Sequence, residues 1–486
     1  MFVFNTIGQY HSDLLAGRTD CLSAVEHYLL SIEKQQSLNA FVEVYADEAR
    51  QTAIALDEKR KKGATPGKLH GVVIALKDVI CYKDHKVSAA SAILNNFNSL
   101  YSATAVQYLI DEEAIIIGTC NCDEFAMGSS NENSVYGPVR NALDPERVPG
   151  GSSGGSAVAV QAGMCMLSLG TDTGGSVRQP ADFCGIIGLK PGYGSISRYG
   201  LIAYASSFDQ IGIFAHTLKD AALMLSILSQ PDLRDSTMNT SSVLNNIVDK
   251  LDYKEKKFRI AYFTEALEHP SLDKEIAGAI KKQLDQCIET GHTVEAISFN
   301  LLDYIVPAYY VLTTAEASSN LSRYDGIRFG HQSNVPTKDL TNFYQRNRSE
   351  GFGKEVKRRI MLGTFVLSTG YYDAYYNKAQ QVRRMLIDHI NLIFKEYDAI
   401  ILPTSPTTAY KLGEKDKDPI AVYLADIFTV FANLTGLPAI SIPLFKHSNG
   451  MPFGLQIMAN KQDELTLLQL SNLMMQQKDS MKASIS

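Results

Sequence analysis

The chain has 486 residues, of which 45% are hydrophobic and 20% charged, a balance typical of a folded protein with a large core. Its net charge of −6, without a long basic run, argues against this chain alone holding a nucleic acid by its phosphates, although a partner could hold one. Seven cysteines without a CxxC pair argue against a disulfide framework or a zinc site. No secretory signal and no run of ~18 apolar residues is visible, so we expect a cytoplasmic protein.

Helices and buried strands alternate through the first half of the chain. Leu22, Val25 and Leu29 recur at helical spacing, whereas 71–76 (GVVIAL) is a continuous apolar run of the buried-strand type. The predicted elements are helix 19–36, strand 38–44, helix 47–62, strand 71–76, helix 105–112, strand 114–119, a polar loop with a short helix over 121–140, helix 157–166, and strands 167–171, 186–189 and 211–214. This alternation favours a layered α/β core.

The second half of the chain adds another α/β unit and a region rich in tyrosine. Residues 231–257 are polar and charged, which indicates a loop or an insertion. The remaining predicted elements are strand 258–263, helix 273–290, strand 293–299, helical segments 309–321 and 354–394, strands 397–402, 440–443 and 454–458, and a final helix 463–476.

Two clusters of glycine and serine dominate the middle of the sequence, at 150–156 (GGSSGGS) and 173–176 (TGGS). Dense glycine lets the backbone approach a ligand closely, and serines in such backbone can act as nucleophiles. The mostly apolar run between the clusters is not what a flexible linker contains. No GxGxxG after a strand, Walker A, HExxH or EF-hand pattern accompanies them, so no standard nucleotide cradle or metal motif is present.

Residues 150–154 also match GxSxG, the nucleophile elbow of α/β-hydrolases. That motif needs a strand directly before it, but 141–149 (NALDPERVP) carries two prolines and three charges. A Ser-His-Asp triad would also need a later histidine in a distinctive setting. The candidates are His216, His269, His292, His331, His389 and His447. Because none stands in such a setting, we disfavour this class of hydrolase.

Lys77 lies at the end of the predicted strand 71–76, next to Asp78. Burial lowers the pKa of a lysine, so a neutral amine there can serve as a base, and a Ser-Lys pair is a known substitute for Ser-His. Alternatively, Lys77 extends its amine to solvent at the strand end. The pattern of residues alone leaves both readings open.

Lys77, followed by 150–160 (GGSSGGSAVAV) and 169–191 (LGTDTGGSVRQPADFCGIIGLKP), resembles the amidase signature family. The resemblance implies an α/β fold with a large mixed β-sheet sandwiched between α-helices. It also implies a single domain over 1–486, with a catalytic core at about 65–215 and substrate-pocket helices at about 300–440.

The same resemblance assigns roles to individual residues. Ser176 corresponds to the nucleophile, Ser152 to a bridging serine that follows a cis peptide, and Lys77 to the base of a Ser-cisSer-Lys triad. The backbone N–H groups expected to form the oxyanion hole are those of Thr173, Gly174, Gly175 and Ser176.

Further segments narrow the resemblance to the glutaminase subunits of tRNA-dependent amidotransferases. These segments are 123–130 (DEFAMGSS), 197–212, 316–330, 350–365 and 370–376. One departure is Cys122, which stands where this group usually has methionine. The resemblance implies that the chain hydrolyses glutamine and supplies ammonia for converting Glu-tRNA(Gln) to Gln-tRNA(Gln) and, in many such enzymes, Asp-tRNA(Asn) to Asn-tRNA(Asn).

Partners and cofactors follow from the same narrower resemblance. It implies a heterotrimer with B and C subunits, in which Glu-tRNA(Gln) is reached through the B subunit. ATP and Mg²⁺ are expected on that B subunit, and no cofactor is expected in this chain.

The glutamine pocket is expected to contain Tyr310, Arg359, Asp426, Gly128 and Ser129. Arg359 would bind the α-carboxylate, and Asp426 would pair with the α-ammonium group. Tyr309 and Arg358 adjoin two of these positions, so their register is open by one residue. By spacing alone, such charged residues are more often simply exposed.

Two other functions compete with the glutaminase subunit. One is a standalone amidase acting on other small amides, and the other is a scaffold that has lost its activity. The intact set of Lys77, Ser152 and Ser176 counts against the scaffold. The combination of Arg359 and Asp426 counts against an amidase for apolar amides, whose pocket needs no pair of opposite charges.

Overall fold

Strands from both halves of the chain join one mixed sheet of eleven strands in the computed structural model, which describes residues 2–239, 244, 246–252, 256–414 and 425–483. The strands are β1 (Phe41–Val44), β2 (Val73–Lys77), β3 (Ile115–Cys120), β4 (Leu167–Asp172), β5 (Ile187–Lys190), β6 (Gln210–Ala215), β7 (Arg259–Phe263), β8 (Thr293–Ile297), β9 (Ala399–Pro403), β10 (Ala439–Lys446) and β11 (Pro452–Ala459). Their order across the sheet is β1-β3-β2-β4-β6-β5-β10-β11-β9-β7-β8.

Fifteen α-helices are present in the described ranges. They are α1 (Ile7–Leu15), α2 (Cys21–Lys34), α3 (Ala46–Lys61), α4 (Thr104–Asp111), α5 (Gly154–Gln161), α6 (Arg178–Cys184), α7 (Leu218–Leu228), α8 (Thr264–Leu267), α9 (Lys274–Glu289), α10 (Leu302–Asn320), α11 (Leu340–Gly351), α12 (Lys354–Val366), α13 (Lys378–Ile393), α14 (Val430–Thr435) and α15 (Glu464–Ala483). Helices α5, α7 and α15 pack on β4, β6 and β10 of the sheet. A six-residue π-helix, Tyr372–Asn377, precedes α13.

The central strands are covered on both faces, and β2 and β3 are mostly apolar for that reason. All residues of β2, β3 and β4 are buried. Such continuous apolar runs are the pattern of parallel strands buried on both sides, and β2 does pair in parallel with β3 and with β4. Helix α9, in contrast, is amphipathic and begins at Asp273, whose carboxylate accepts hydrogen bonds from the N–H groups of Glu275 and Ile276.

The pairing of β2 with β4 brings the predicted base, Lys77, next to the start of the second glycine-serine cluster. Leu76 of β2 lies opposite Leu169 of β4 in a parallel register. Because parallel strands end at the same edge of a sheet, Lys77 at the end of β2 reaches the end of β4, where Thr171 and Asp172 lie.

All eleven strands were predicted from the sequence, and the expected α/β class with a large mixed sheet is confirmed. Several helical predictions differ from the structure. Helix 157–166 begins and ends earlier, as α5, and helix 309–321 begins at Leu302, as α10. The predicted helical run 354–394 is interrupted between α12 and the π-helix.

Two predictions from the sequence are not tested by the structure, or only in part. Part of the predicted loop 231–257 lies outside the described residues. The single-domain organisation, with its core at about 65–215, stays a prediction, although the sheet includes strands from residue 41 to residue 459.

Candidate active site

Lys77 is completely buried at the end of β2, which rules out the alternative in which its amine extends to solvent. Its Nζ atom lies 2.6 Å from Ser152 Oγ, 2.9 Å from Ser153 Oγ and 2.9 Å from Thr171 Oγ1. Ser153 Oγ donates its own proton to the carbonyl oxygen of Thr171, at 3.0 Å, and therefore accepts from Nζ. A neutral amine has two N–H donors and one lone pair, so it can donate to Ser153 and Thr171 while accepting the proton of Ser152.

The surroundings of Lys77 shift it toward this neutral amine. Burial lowers the pKa of Lys77 to about 8, although Cys122 and the carboxylates of Asp123, Asp172 and Asp209 act in the opposite direction. A base with a pKa near the working pH combines a useful population of the neutral form with a strong affinity for protons. Lys77 can therefore act as the base that the sequence predicted.

Ser152 is positioned by the turn that leads from the first glycine-serine cluster into α5. The peptide bond between Gly151 and Ser152 is cis, as the family resemblance implied. A β-carbon on Gly151 would overlap the carboxylate of Asp123, so the backbone can pass here only as glycine. The Ser152 side chain is fully buried against Lys77.

Ser176 lies in the second cluster, just after β4. The N–H group of Ser153 donates to the carbonyl oxygen of Ser176 at 3.3 Å, so the backbones of the two clusters are adjacent. The Ser176 residue is 8% exposed, whereas Lys77 and Ser152 are fully buried. The structure thus brings all three predicted triad residues to one edge of the sheet, and their chemical roles stay predictions.

The loop that carries Ser176 is held by a buried ion pair. Arg178 donates to Asp172 from Nη2 at 2.9 Å and from Nε at 3.0 Å, and both side chains are fully buried. Although burial alone raises the pKa of Asp172, the Arg178 guanidinium holds it well below its usual range. Asp172 also accepts the N–H groups of Gly175 and Val177, so one carboxylate shapes the whole turn.

One of the four expected oxyanion donors is already used. The N–H group of Gly175 donates to Asp172 Oδ1 at 2.8 Å, so it shapes the turn rather than facing a substrate. This leaves the N–H groups of Thr173, Gly174 and Ser176 for that role. Gly174 lies against the Tyr309 hydroxyl, where a β-carbon would overlap the phenol ring.

Asp426 lies at the centre of the expected pocket for the α-ammonium group. Ser129 Oγ lies 2.9 Å from both of its carboxylate oxygens, and the Tyr310 hydroxyl donates to Oδ2 at 3.0 Å. All three residues are buried. Gly128 precedes Ser129 and lies against Asp123, where a β-carbon would overlap the carboxylate. The predicted set of Tyr310, Asp426, Gly128 and Ser129 therefore forms one cluster with negative charge.

Arg359, rather than Arg358, points into the protein. Arg359 is 5% exposed, whereas the Arg358 side chain is 47% exposed and pairs with Glu355 on the helix surface. The Arg359 guanidinium lies 5.3 Å from the centre of the Tyr310 ring and lines a cavity of about 480 Å³. The burial of Arg359 and its position over the Tyr310 ring favour Tyr310 and Arg359 in the register that the sequence left open, and their binding role stays a prediction.

The sequence did not identify three residues that shape the site. Ser153 and Thr171 complete the hydrogen bonding of Lys77, and Tyr204 accepts a hydrogen bond from Arg359 Nη1 at 2.9 Å. Ser153 and Thr171 lie inside the quoted motifs, which was the available signal. Tyr204 lies in the segment 197–212, where nothing local indicates a contact with Arg359.

The histidine alternative finds no support within the described ranges. His216 bonds to the carbonyl of Val160, His269 to Ser271, and His331 to Glu350, each away from the serine clusters. No strand covers residues 141–149, so the GxSxG match lacks its required context.

The cysteines and the possible metal ligands give no further site. All seven cysteines are buried and free. Across the described residues, no group of three or more His, Cys, Asp or Glu side chains could hold a metal ion. None of the helices in the part of the chain that the structure describes is long and apolar enough to cross a membrane.

A lysine amine hydrogen-bonded to a serine beside a second glycine-serine turn is the site architecture that the resemblance implied. The family model described as Amidase matches residues 23–468, so the chain belongs to the amidase family.

Within this family, the chain is 48% identical over 472 residues to the A subunit of glutamyl-tRNA(Gln) amidotransferase from Chlorobium phaeobacteroides, covering 97% of this chain and 98% of that protein. It is 39% identical to the crystal structure of the A subunit of glutamyl-tRNA(Gln) amidotransferase from Thermotoga maritima, with a TM-score of 0.77 over 96% of this chain and 93% of that one. A crystal structure of an amidase, 27% identical, superposes with a TM-score of 0.80 over 96% of this chain and 99% of that one. These matches confirm the predicted family.

Proposed function

We propose that this chain is the glutamine-hydrolysing subunit of a glutamyl-tRNA(Gln) amidotransferase, with the cytoplasm as its expected compartment. Relatives with this name align over nearly the whole chain. Because other amidases share the fold, the choice among substrates depends on the pocket rather than on the sheet.

The observation that carries the proposal is a pair of opposite charges beside the lysine-serine pair. Asp426, held by Ser129 and Tyr310, supplies negative charge, and Arg359 supplies positive charge next to the same Tyr310 ring. An amino acid in its zwitterionic form presents the complementary pair, an ammonium and a carboxylate group. A simple apolar amide has neither group, so it would offer no complementary charge to Asp426 or Arg359.

The proposed chemistry begins with neutral Lys77. Lys77 accepts the proton of Ser152, and Ser152 accepts the proton of Ser176, so that Ser176 Oγ attacks the carbonyl carbon of the glutamine side-chain amide. Negative charge develops on the carbonyl oxygen, where N–H groups of Thr173, Gly174 and Ser176 can stabilise it.

The reaction is completed by proton return and hydrolysis. The proton held by Lys77 returns through Ser152 to the amide nitrogen, the C–N bond breaks, and ammonia leaves an ester on Ser176. Water, activated by the same base, then attacks the ester, so glutamine and water yield glutamate and ammonia.

Partner subunits complete the proposed function. In the proposed heterotrimer, a B subunit binds Glu-tRNA(Gln), activates its γ-carboxylate with ATP and Mg²⁺, and accepts the ammonia made here, while a C subunit joins the two. We also propose that the same complex converts Asp-tRNA(Asn) to Asn-tRNA(Asn). The negative net charge of this chain and its lack of a standard nucleotide motif support the proposal that a partner holds tRNA and ATP.

The test is release of ammonia from glutamine by the assembled complex, with ATP and Glu-tRNA(Gln) present. Replacing the nucleophile, Ser176→Ala, should reduce kcat by at least about 1,000-fold, since removal of one member of a triad costs nearly as much as removal of all. Ser156→Ala is the matched control because Ser156 is buried in the same cluster but its hydroxyl donates to the carbonyl of Leu169 rather than contacting Lys77.

Other outcomes would contradict the proposal. If the wild type cleaves simple aliphatic amides and leaves glutamine intact, the chain is a standalone amidase. If Ser176→Ala retains activity, the nucleophile is misassigned. If no amide is cleaved while the complex assembles, the chain is a scaffold.

A further inference from the structure

The Arg359 guanidinium is fixed from three directions. Nε donates to Glu355 Oε1 at 2.9 Å, and Nη1 donates to the Tyr204 hydroxyl at 2.9 Å. The planar group also lies between two aromatic rings, 5.3 Å from the centre of Tyr310 and 5.6 Å from the centre of Tyr204. Within the described part of the chain, Nη2 makes no hydrogen bond, so it is the donor left for an anion in the cavity.

Tyr204 connects this arginine to the loop of the candidate nucleophile. Tyr204 is 2% exposed, and its backbone N–H donates to Asp209 Oδ2 at 3.0 Å. The other oxygen of the same carboxylate, Oδ1, accepts the hydroxyl of Thr173 at 2.7 Å, and Thr173 is three residues before Ser176. Only Tyr204, Asp209 and Thr173 therefore separate the guanidinium from the turn that carries Ser176.

We propose that Tyr204 is a positioning residue for the substrate α-carboxylate: its hydroxyl holds Arg359 at a fixed distance from the Ser176 turn, so that the pocket selects amino-acid amides over simple amides. This inference deepens, and rests on, the proposed hydrolysis of glutamine.

The physical reason is competition for the guanidinium. Glu355 lies one helical turn before Arg359 on α12 and touches it at one nitrogen only. Without the Tyr204 hydroxyl, Arg359 can rotate to form a two-point pair with Glu355, the preferred geometry for arginine and a carboxylate, in competition with Arg358 for the second oxygen. The guanidinium would then be neutralised within the protein, and a substrate carboxylate would have to displace Glu355. Loss of Tyr204 should therefore weaken substrate binding more than it slows the chemical step.

The test compares two substrates in the assembled complex. Glutamine carries the α-carboxylate, whereas 4-aminobutanamide has the same amino and amide groups without it. Tyr204→Phe removes only the hydroxyl. It should raise KM for glutamine about tenfold, because that factor corresponds to the free energy of one hydrogen bond to a charged group. It should change kcat by less than about twofold. For 4-aminobutanamide, kcat/KM of the variant should equal that of the wild type.

Two further variants separate positioning from general damage. Tyr10→Phe is the matched control, since Tyr10 is equally buried and its hydroxyl bonds to the carbonyl of Gly71, away from the site. It should leave both substrates unaffected. In an Arg359→Ala background, Tyr204→Phe should have no additional effect on KM for glutamine, because Tyr204 acts through that arginine.

The outcomes distinguish this inference from the proposed function. If the wild type does not hydrolyse glutamine, the proposed function fails. If the wild type does and Tyr204→Phe leaves KM unchanged, or lowers kcat/KM equally for both substrates, the positioning role is wrong. An additive effect of Tyr204→Phe in the Arg359→Ala background would also overturn it.

Discussion

At the scale of single residues, the three hydroxyl groups around Lys77 determine what its amine can do in each protonation state. An ammonium has three N–H donors and would require three acceptors, including Ser152. A neutral amine instead takes the proton of Ser152 and leaves that oxygen ready to accept another from Ser176. The contacts of Ser153 and Thr171 occupy the two N–H groups that remain. The local geometry therefore directs proton transfer to one serine out of three neighbouring hydroxyl groups.

The pH dependence of the reaction follows from Lys77. Burial lowers its pKa to about 8, so the neutral form, which is the base, increases as pH rises through that value. We expect kcat at saturating glutamine to rise between about pH 7 and about pH 9, with an apparent pKa near 8. Lys77→Arg should be inactive throughout this range, because arginine does not lose its proton. A kcat that is constant over the range, or that falls, would show that neutral Lys77 is not the base.

At the scale of secondary-structure elements, an element could be predicted where the way it is buried leaves a pattern of apolar and polar residues in the sequence. The eleven strands could be predicted because their burial produces apolar runs in the sequence. Helix α6 could not be predicted, because all its residues are buried and no polar face gives it a period. The predicted start of α10, at residue 309, is too late, because burial of Leu302 and Ile305 extends the helix to the N-terminal side of Pro307.

The residues of the candidate site also differ in how far the sequence could predict them. Ser152 and Ser176 belong to continuous motifs, and the family resemblance adds Lys77, so the sequence could predict that the three lie together. The contact between Tyr204 and Arg359 joins residues 155 positions apart. It depends on how α12 packs against the loop before β6, which no local pattern records. The use of the Gly175 N–H by Asp172 likewise requires the folded turn.

The turn between β4 and α6 requires glycine at position 175. Gly175 has φ of +128°, and a β-carbon there would overlap the side chain of Thr429. We expect Gly175→Ala to reduce kcat by at least about 100-fold, since a displacement of even 1 Å at a reacting group can have that effect. It should also lower stability by about 1–3 kcal/mol through backbone strain. Steady-state kinetics and thermal unfolding of the variant measure the two effects.

A second glycine provides the control for that variant. Gly278 lies on the exposed side of α9, where a β-carbon meets no atom within 4 Å. Gly278→Ala should raise stability by about 0.5–1 kcal/mol and leave kcat unchanged, because alanine favours the helix. If Gly175→Ala behaved like Gly278→Ala, the turn would not depend on its left-handed backbone.

At the scale of the whole molecule, Arg178 joins the nucleophile turn to the C-terminal part of the fold. Besides Asp172, its guanidinium donates to the carbonyl of Thr429 at 2.8 Å, to Asn433 Oδ1 at 2.7 Å and to Gln456. These partners belong to α14, the residue before it, and β11, more than 250 positions along the chain. The catalytic core and the pocket region therefore share one buried charge network, and neither should be stable in its native form without the other.

Removing the cation should destabilise the whole protein. Arg178→Ala leaves the Asp172 carboxylate buried without its guanidinium partner, which should cost about 3–5 kcal/mol of stability and lower Tm. The control Arg384→Ala breaks an exposed pair with Asp388 and should change Tm within experimental error.

The pH dependence of this loss of stability follows from Asp172. In the wild type, the pKa of Asp172 is below its unfolded value, so the stability it contributes is lost only as pH falls through that low folded value. In Arg178→Ala, burial without the guanidinium raises the pKa of Asp172 above its unfolded value, although Lys190 still acts in the opposite direction. The folded state then binds the extra proton, and the deficit in Tm should shrink as pH falls from about 7 to about 5. A deficit that stays constant over this range, or that is no larger than that of Arg384→Ala, would show that the buried pair does not hold the two parts of the fold together.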